Sequence, residues 1–135
     1  FPKDINLIQS HKALDNAFLA TAPGGVLILL AECPDGFGSP TFFPWFRFRD
    51  PEALERELRE NYQIYGQTAH AVLSKVRACR VILVSSLPPG DVEAMGMTPS
   101  PTLVEAVRAA KGFLGEVPVP LVIPDAGYVL PDPPG

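Results

Sequence analysis

The feature that most limits the fold of this chain is a pair of short, continuously apolar runs set between segments of helical periodicity. Residues 26–31 (VLILLA) and 81–84 (VILV) are bounded by turn or polar residues. Runs of this length are typical of central strands that are covered on both faces. A third strand is predicted at residues 121–123 (LVI). Strands that alternate with helices predict an α/β fold, a layered domain with a mostly parallel central sheet flanked by helices.

Capping residues and apolar periodicity predict the helices. Asp4 or Asn6 can cap a first helix that runs to about residue 21. Another helix is predicted over residues 67–78, and the last one begins near residue 101. The inner face of that last helix is predicted to consist of Leu103, Val107 and Ala110.

An aromatic segment, residues 41–48 (TFFPWFRF), is too apolar for a free surface. It forms either a satellite of the core or a surface that is buried against another domain. The first interpretation is favoured.

Chain length and composition limit the class of protein. The 135 residues predict a single α/β domain over 1–130 and a Pro-rich tail at 131–135. The net charge of -4 comes without a basic block, which argues against nucleic acid as a partner. No apolar run approaches the roughly 20 residues that span a bilayer, so no membrane partner is expected.

Cys33 and Cys79 are the two cysteines, and they lie too far apart to indicate a disulfide framework. A reducing, cytoplasmic location is therefore expected. The chain starts at Phe1 without an initiator Met, which predicts that it is a fragment of a longer protein.

The first predicted helix carries a polar face made of Gln9, Lys12 and Asn16, at three- and four-residue spacing. A lysine offers a positive charge and three donors, and a glutamine amide adds a donor and an acceptor. Together they could hold a carboxylate, a hydroxyl or a phosphate. From spacing alone, a solvated helix face is the favoured interpretation.

The loop at residues 32–38 (ECPDGFG) follows the first strand, at the end where α/β sheets collect ligands. It either approaches a ligand through its backbone or simply connects two elements. The chain contains neither a phosphate-loop pattern nor a complete GxGxxG pattern, which weakens a stand-alone nucleotide-binding role. Cys33 is expected to be a small buried residue, and His11 and His70 are expected to be structural or exposed.

Three sequence strings together resemble the C-terminal domain of the nickel-dependent lactate racemase family. These strings are residues 2–17 (PKDINLIQSHKALDNA), the run from PGGV at 23–26 to AECPDGFG at 31–38, and residues 80–85 (RVILVS). The resemblance extends from Pro2 to about Pro131. The opening string and the 32–38 loop together are fairly specific to that family.

The resemblance implies an enzyme that racemises or epimerises a 2-hydroxy acid. In the family, a larger N-terminal domain holds a nickel-pincer nucleotide, a histidine nickel ligand and two acid–base histidines. As the resemblance implies it, the hydroxyl proton is abstracted while a hydride moves from C2 to the cofactor, and the planar 2-keto acid then takes the hydride back on either face. The N-terminal domain is thus the implied partner, and the isolated chain is expected to be inactive.

The resemblance also assigns roles to the polar face. Gln9 and Lys12 match a Gln and a Lys that the family's C-terminal domain contributes to the active site, and Lys12 could also contact a cofactor phosphate. No metal ligand is implied in this chain. Some members place an aromatic residue near the substrate, and Gly66 could stand in its place here. The alternative function is a non-catalytic module that binds an anionic metabolite or a partner protein through the same face.

Overall fold

The computed structural model describes residues 1–116 and 119–132. The helices are α1 (Leu7–Leu19), a 3-10 helix (Phe43–Phe48), α2 (Pro51–Glu60), α3 (Gly66–Ala78), α4 (Pro89–Ala94) and α5 (Leu103–Leu114). The strands are β1 (Val26–Leu30), β2 (Arg80–Val84) and β3 (Thr98–Ser100). Residues 133–135 of the predicted tail lie outside the described residues, and the division into 1–130 and 131–135 stays a prediction.

Within the described residues the sheet is parallel, with strand order β1-β2-β3. Val26 pairs with Arg80 at the start of β1, and Ile82 pairs with Thr98 at the start of β3. The helices α1 and α3 pack on each other, and α5 contacts all of these strands. The predicted class, an α/β domain with a parallel sheet flanked by helices, is therefore confirmed.

The predicted third strand at residues 121–123 is wrong. This segment forms no strand, and its Leu121 and Val122 side chains are 71% and 74% exposed. The place beside β2 is taken by Thr98–Ser100, which pairs through its backbone although its composition is typical of a turn. Short strands depend on an available neighbouring edge more than on their own apolar content.

The helix boundaries follow the predictions within a few residues, but the inner face of α5 does not. Ala106 is the buried residue of α5, whereas Leu103 and Val107 are about half exposed. The buried position of α5 is thus Ala106, and of the three predicted residues only Ala110 is partly buried. None of the helices in the described ranges is long and apolar enough to cross a bilayer.

The aromatic segment belongs to the core, as predicted. We define the aromatic cluster by its members, which are Phe37, Phe42, Phe43, Trp45, Phe46 and Phe48. Phe42, Trp45 and Phe46 are buried together with the sheet residues. Gly66 starts α3 against this cluster, and a Cβ there would lie 2.9 Å from the Trp45 ring and would clash with Leu58. Position 66 therefore has no room for a side chain.

Candidate functional site

Helix α1 is capped by Asn6, one of the two predicted caps. Asn6 has an extended backbone, and its Oδ1 accepts a hydrogen bond of 2.9 Å from the Gln9 amide. This bond satisfies a backbone donor that the first turn of a helix leaves without a partner. Leu7 and Leu14 anchor the opposite side of the helix in the core. The cap and the core contacts together fix the direction in which the polar side chains of α1 point.

Gln9 and Lys12 lie together on the outer side of α1. Gln9 is half-buried and Lys12 is exposed. The Lys12 Nζ donates a hydrogen bond of 3.2 Å to the Gln9 Oε1. A lysine ammonium has three N–H donors, so this bond leaves two of them and the positive charge for a ligand. The amide group of Gln9 adds a further donor beside that charge. The structure thus brings the two predicted site residues into contact.

Asn16, the third member of the polar face, is engaged within the chain. Its Nδ2 donates a hydrogen bond of 2.7 Å to the Ala126 carbonyl. The sequence did not predict that the C-terminal segment returns to α1. The turn composition of residues 124–127 (PDAG) was an available signal for a bend there, but it does not indicate where the bend lies.

The 32–38 loop is bonded to the start of α1 through its backbone. The amides of Leu7 and Ile8 donate to the Gly36 and Phe37 carbonyls at 3.0 and 3.2 Å. In the other direction, the amides of Cys33 and Asp35 donate to the Asp4 and Ile5 carbonyls at 2.8 and 2.9 Å. The first-turn donors of α1 are thus taken by protein groups. This helix end is therefore not an anion site of the usual kind.

Gly38 shows why this loop needs glycine. Its φ is +93°, and an added Cβ would lie 2.6 Å from the Cγ of Asn6. The loop and the cap residue line a shallow, solvent-open depression of about 490 Å³. Its lining residues are Asn6, Asp35, Phe37, Gly38, Ser39 and Pro40. Glycine at this position thus allows the loop to pack closely against the Asn6 cap. This packing explains the glycine without a bound ligand.

Cys33 is buried behind this loop, as predicted. Its Sγ lies 3.8 Å from the Ser10 Oγ, and Ser10 also donates to the Asn6 carbonyl at 2.9 Å. Burial raises the pKa of the Cys33 thiol, and the Ser10 contact only partly offsets this effect. A thiol that resists ionisation is a poor nucleophile. Cys33 therefore fills space rather than providing chemistry.

His11 is also held in a structural position, and His70 is partly exposed on α3. The His11 Nδ1 contacts the Ile8 carbonyl, and its Nε2 lies 3.8 Å from the Asp15 Oδ2. Asp15 forms its closer ion pair with Lys75, at 2.7 Å. In residues 1–116 and 119–132, no group of three or more His, Cys, Asp or Glu side chains could hold a metal ion. The donors of the outer α1 face suit an anion rather than a metal.

Comparison with known proteins assigns this arrangement to a family. The profile described as the lactate racemase C-terminal domain matches residues 1–130. The lactate racemase of Thermoanaerobacterium thermosaccharolyticum is 30% identical over 136 residues, which cover 96% of this chain and 32% of that protein. The structure of the lactate racemase apoprotein from the same organism superimposes with a TM-score of 0.76 at 32% identity, over 84% of this chain and 29% of the other. The chain thus spans about a third of the length of the relative that it matches. On these grounds, it belongs to the lactate racemase C-terminal domain family.

Proposed function

We propose that this chain is the substrate-side domain of an enzyme that racemises or epimerises a 2-hydroxy acid. The observation that carries the proposal is the hydrogen-bonded Gln9–Lys12 pair on the outer side of α1, within a domain of the lactate racemase family. The relative is named a lactate racemase, and lactate is the simplest substrate of this class that has a stereocentre.

The chemistry of the pair suits such a substrate. A 2-hydroxy acid carries a carboxylate beside a hydroxyl group, and the charge on its oxygens grows as the hydroxyl proton leaves. The Lys12 ammonium stabilises that negative charge, and the Gln9 amide binds a neutral oxygen without adding charge. The hydrogen bond between Lys12 and Gln9 holds the two groups one turn apart, which limits the orientations that they need to sample.

A nickel-pincer nucleotide is the cofactor that we propose for the complete enzyme. The donor set of this chain fits a phosphate of that group, because Lys12 offers an exposed charge with two further N–H donors. When bound, the cofactor supplies the hydride acceptor. Lys12 would hold its phosphate or the substrate, and nickel ligation would fall to another domain.

The remaining parts of the site would come from the N-terminal domain of the same protein. That domain would supply the acid–base histidines, and His11 of this chain is engaged with Ile8 and Asp15. We accordingly expect the 135-residue chain to be inactive alone. A cytoplasmic location is part of the proposal and fits Cys33 and Cys79, which are both unpaired thiols.

The role of Lys12 is tested in the full-length, cofactor-loaded enzyme. We expect Lys12→Ala to reduce kcat/KM for the 2-hydroxy acid by about two orders of magnitude, the effect of losing a well-placed charged contact. Lys111→Ala is the matched control, because Lys111 is an exposed lysine near the end of α5. Wild-type activity in Lys12→Ala would contradict the catalytic role. It would favour the module that binds an anion or a partner protein without catalysis.

A further inference from the structure

The C-terminal segment is attached to the N-terminal part of the chain at two points, one on α1 and one at Lys3, which precedes α1. The Asn16 Nδ2 donates to the Ala126 carbonyl at 2.7 Å, a contact between residues 110 positions apart. The Lys3 ammonium lies over the Tyr128 ring, 4.6 Å from its centroid. An added Cβ at Gly127 would lie 3.7 Å from the Lys3 side chain, so the backbone between these anchors is also close to residue 3. The segment therefore follows the surface of α1 at this place.

The attached segment forms a defined turn. The Tyr128 amide donates to the Asp125 carbonyl at 2.8 Å, and Asp125 has a φ of +51°. A left-handed backbone at a residue other than glycine requires support from its surroundings. The hydrogen bond from Asn16 to the next residue, Ala126, provides such support. We refer to residues 125–128 as the C-terminal turn.

The position of Asn16 on α1 places this turn beside the proposed site. Asn16 follows Lys12 by four residues and Gln9 by seven, so all of them lie on one side of the helix. Gln9 and Lys12 are hydrogen-bonded to each other and keep further donors directed outward. Asn16 instead donates its side-chain amide to the C-terminal turn. The C-terminal turn therefore covers the polar face at Asn16, one helical turn from Lys12.

We propose that Asn16 is a positioning residue and that the C-terminal turn forms one wall of the substrate site. The proposal rests on the proposed function. Asn16 does not touch the substrate: it holds the turn, and the turn limits the space beside Lys12. Loss of the anchor would let the turn move away and would enlarge that space. Substrate binding would weaken, while the reacting groups would keep their geometry.

The experiment uses the full-length, cofactor-loaded enzyme with an Asn16→Leu variant, which keeps the branched shape of the side chain but removes the donor. We expect KM for the 2-hydroxy acid to rise about tenfold, the effect of one lost hydrogen bond, with kcat within about twofold of the wild-type value. Hydrogen exchange at the Tyr128 amide should accelerate in the same variant. Asn16→Gln retains an amide donor and should restore part of the wild-type KM.

Asn61→Leu is the matched control. Asn61 is an exposed asparagine at the end of α2 whose Nδ2 donates to the Glu57 Oε1 at 2.9 Å, so its loss removes a similar bond elsewhere. An unchanged KM in Asn16→Leu, in an enzyme whose wild type is active, would overturn the positioning role and leave the proposed function standing. A fall in kcat without a rise in KM would overturn it as well. A wild-type enzyme that converts no 2-hydroxy acid would overturn the proposed function, and with it the role of the wall.

Discussion

The aromatic cluster and the polar face of α1 differ in how far contacts within the chain account for their side chains. In the cluster, Phe42, Trp45 and Phe46 are buried and contact one another or their neighbours through ring edges and faces. On the polar face, Gln9 and Lys12 contact each other and otherwise point outward. The cluster is explained completely by burial inside this chain. Beyond their mutual hydrogen bond, the side chains of Gln9 and Lys12 have no hydrogen-bond partner among the described residues, and we propose a ligand or a second domain for them.

This difference separates the residues that should affect stability from those that we propose to affect activity. Substitutions in the cluster should act on the free energy of unfolding, because each of its rings removes a large apolar area from water. Substitutions at Gln9 or Lys12 should act on activity and leave stability nearly unchanged, since exposed polar contacts contribute little. The following predictions test this separation.

The largest effect is expected for Phe42→Ala. Phe42 is fully buried, and its ring lies 5.2 Å from Phe46 and 6.4 Å from Phe37. Removing it should lower the free energy of unfolding by about 3–5 kcal/mol through lost burial and a residual cavity. Urea denaturation of the 135-residue chain measures this quantity. Tyr62→Ala is the control, because Tyr62 is an exposed aromatic residue, and it should shift stability by less than about 0.5 kcal/mol.

A smaller decrease in the free energy of unfolding is expected for Gly66→Ala. The added Cβ would meet Leu58 and the Trp45 ring, and such overpacking costs about 1–3 kcal/mol. Gly112→Ala provides a control of opposite sign. Gly112 lies inside α5 with nothing within 4 Å of an added Cβ, so alanine should stabilise that helix by about 0.5–1 kcal/mol. Equal shifts for the two variants in urea denaturation would refute the packing explanation.

The smallest expected effect concerns pH and Cys33, which lies where the 32–38 loop joins α1. Burial raises the pKa of the Cys33 thiol above its ordinary value of 9.0. The unfolded chain therefore loses this proton first as pH rises, so it binds fewer protons than the folded chain above pH 9. The stabilising contribution is complete below that pH and falls as pH rises towards the folded-state pKa.

The measurement compares the wild type with Cys33→Ala by urea denaturation at increasing pH. The difference in free energy of unfolding between the two proteins should change in favour of the variant above pH 9. Cys79→Ala serves as a second case, since burial also raises the pKa of that thiol. If the difference in free energy of unfolding stayed constant across this pH range, the raised pKa of the Cys33 thiol would be contradicted.

The predictable parts of the fold are those whose secondary structure follows from local sequence signals. The apolar runs at β1 and β2 and the cap at Asn6 are local signals, and each produced the expected element. The third strand was not predictable, because Thr98–Ser100 has turn composition and depends on the free edge of β2. The apolar run at 121–123 pairs with no strand among the described residues, and its Leu121 and Val122 side chains are exposed.

The candidate site was predictable in part for the same reason. The spacing of Gln9 and Lys12 on one helix places them together, and their hydrogen bond follows from that spacing. The partner of Asn16 was not predictable, because Ala126 lies 110 residues away and contacts through its carbonyl. Every residue carries the same backbone carbonyl, so the identity of Ala126 could not have indicated this contact.

The backbone hydrogen bonds between residues 4–8 and the 32–38 loop have a mechanical consequence. They join the first turn of α1 directly to the segment that leaves β1, so rotating α1 relative to the sheet would require breaking them. Gln9 and Lys12 are therefore carried by the sheet as much as by their own helix. If the domain closes over a second domain, α1 and the sheet move together as one rigid body. The final positions of Gln9 and Lys12 then depend on the stiffness of the whole helix–sheet layer.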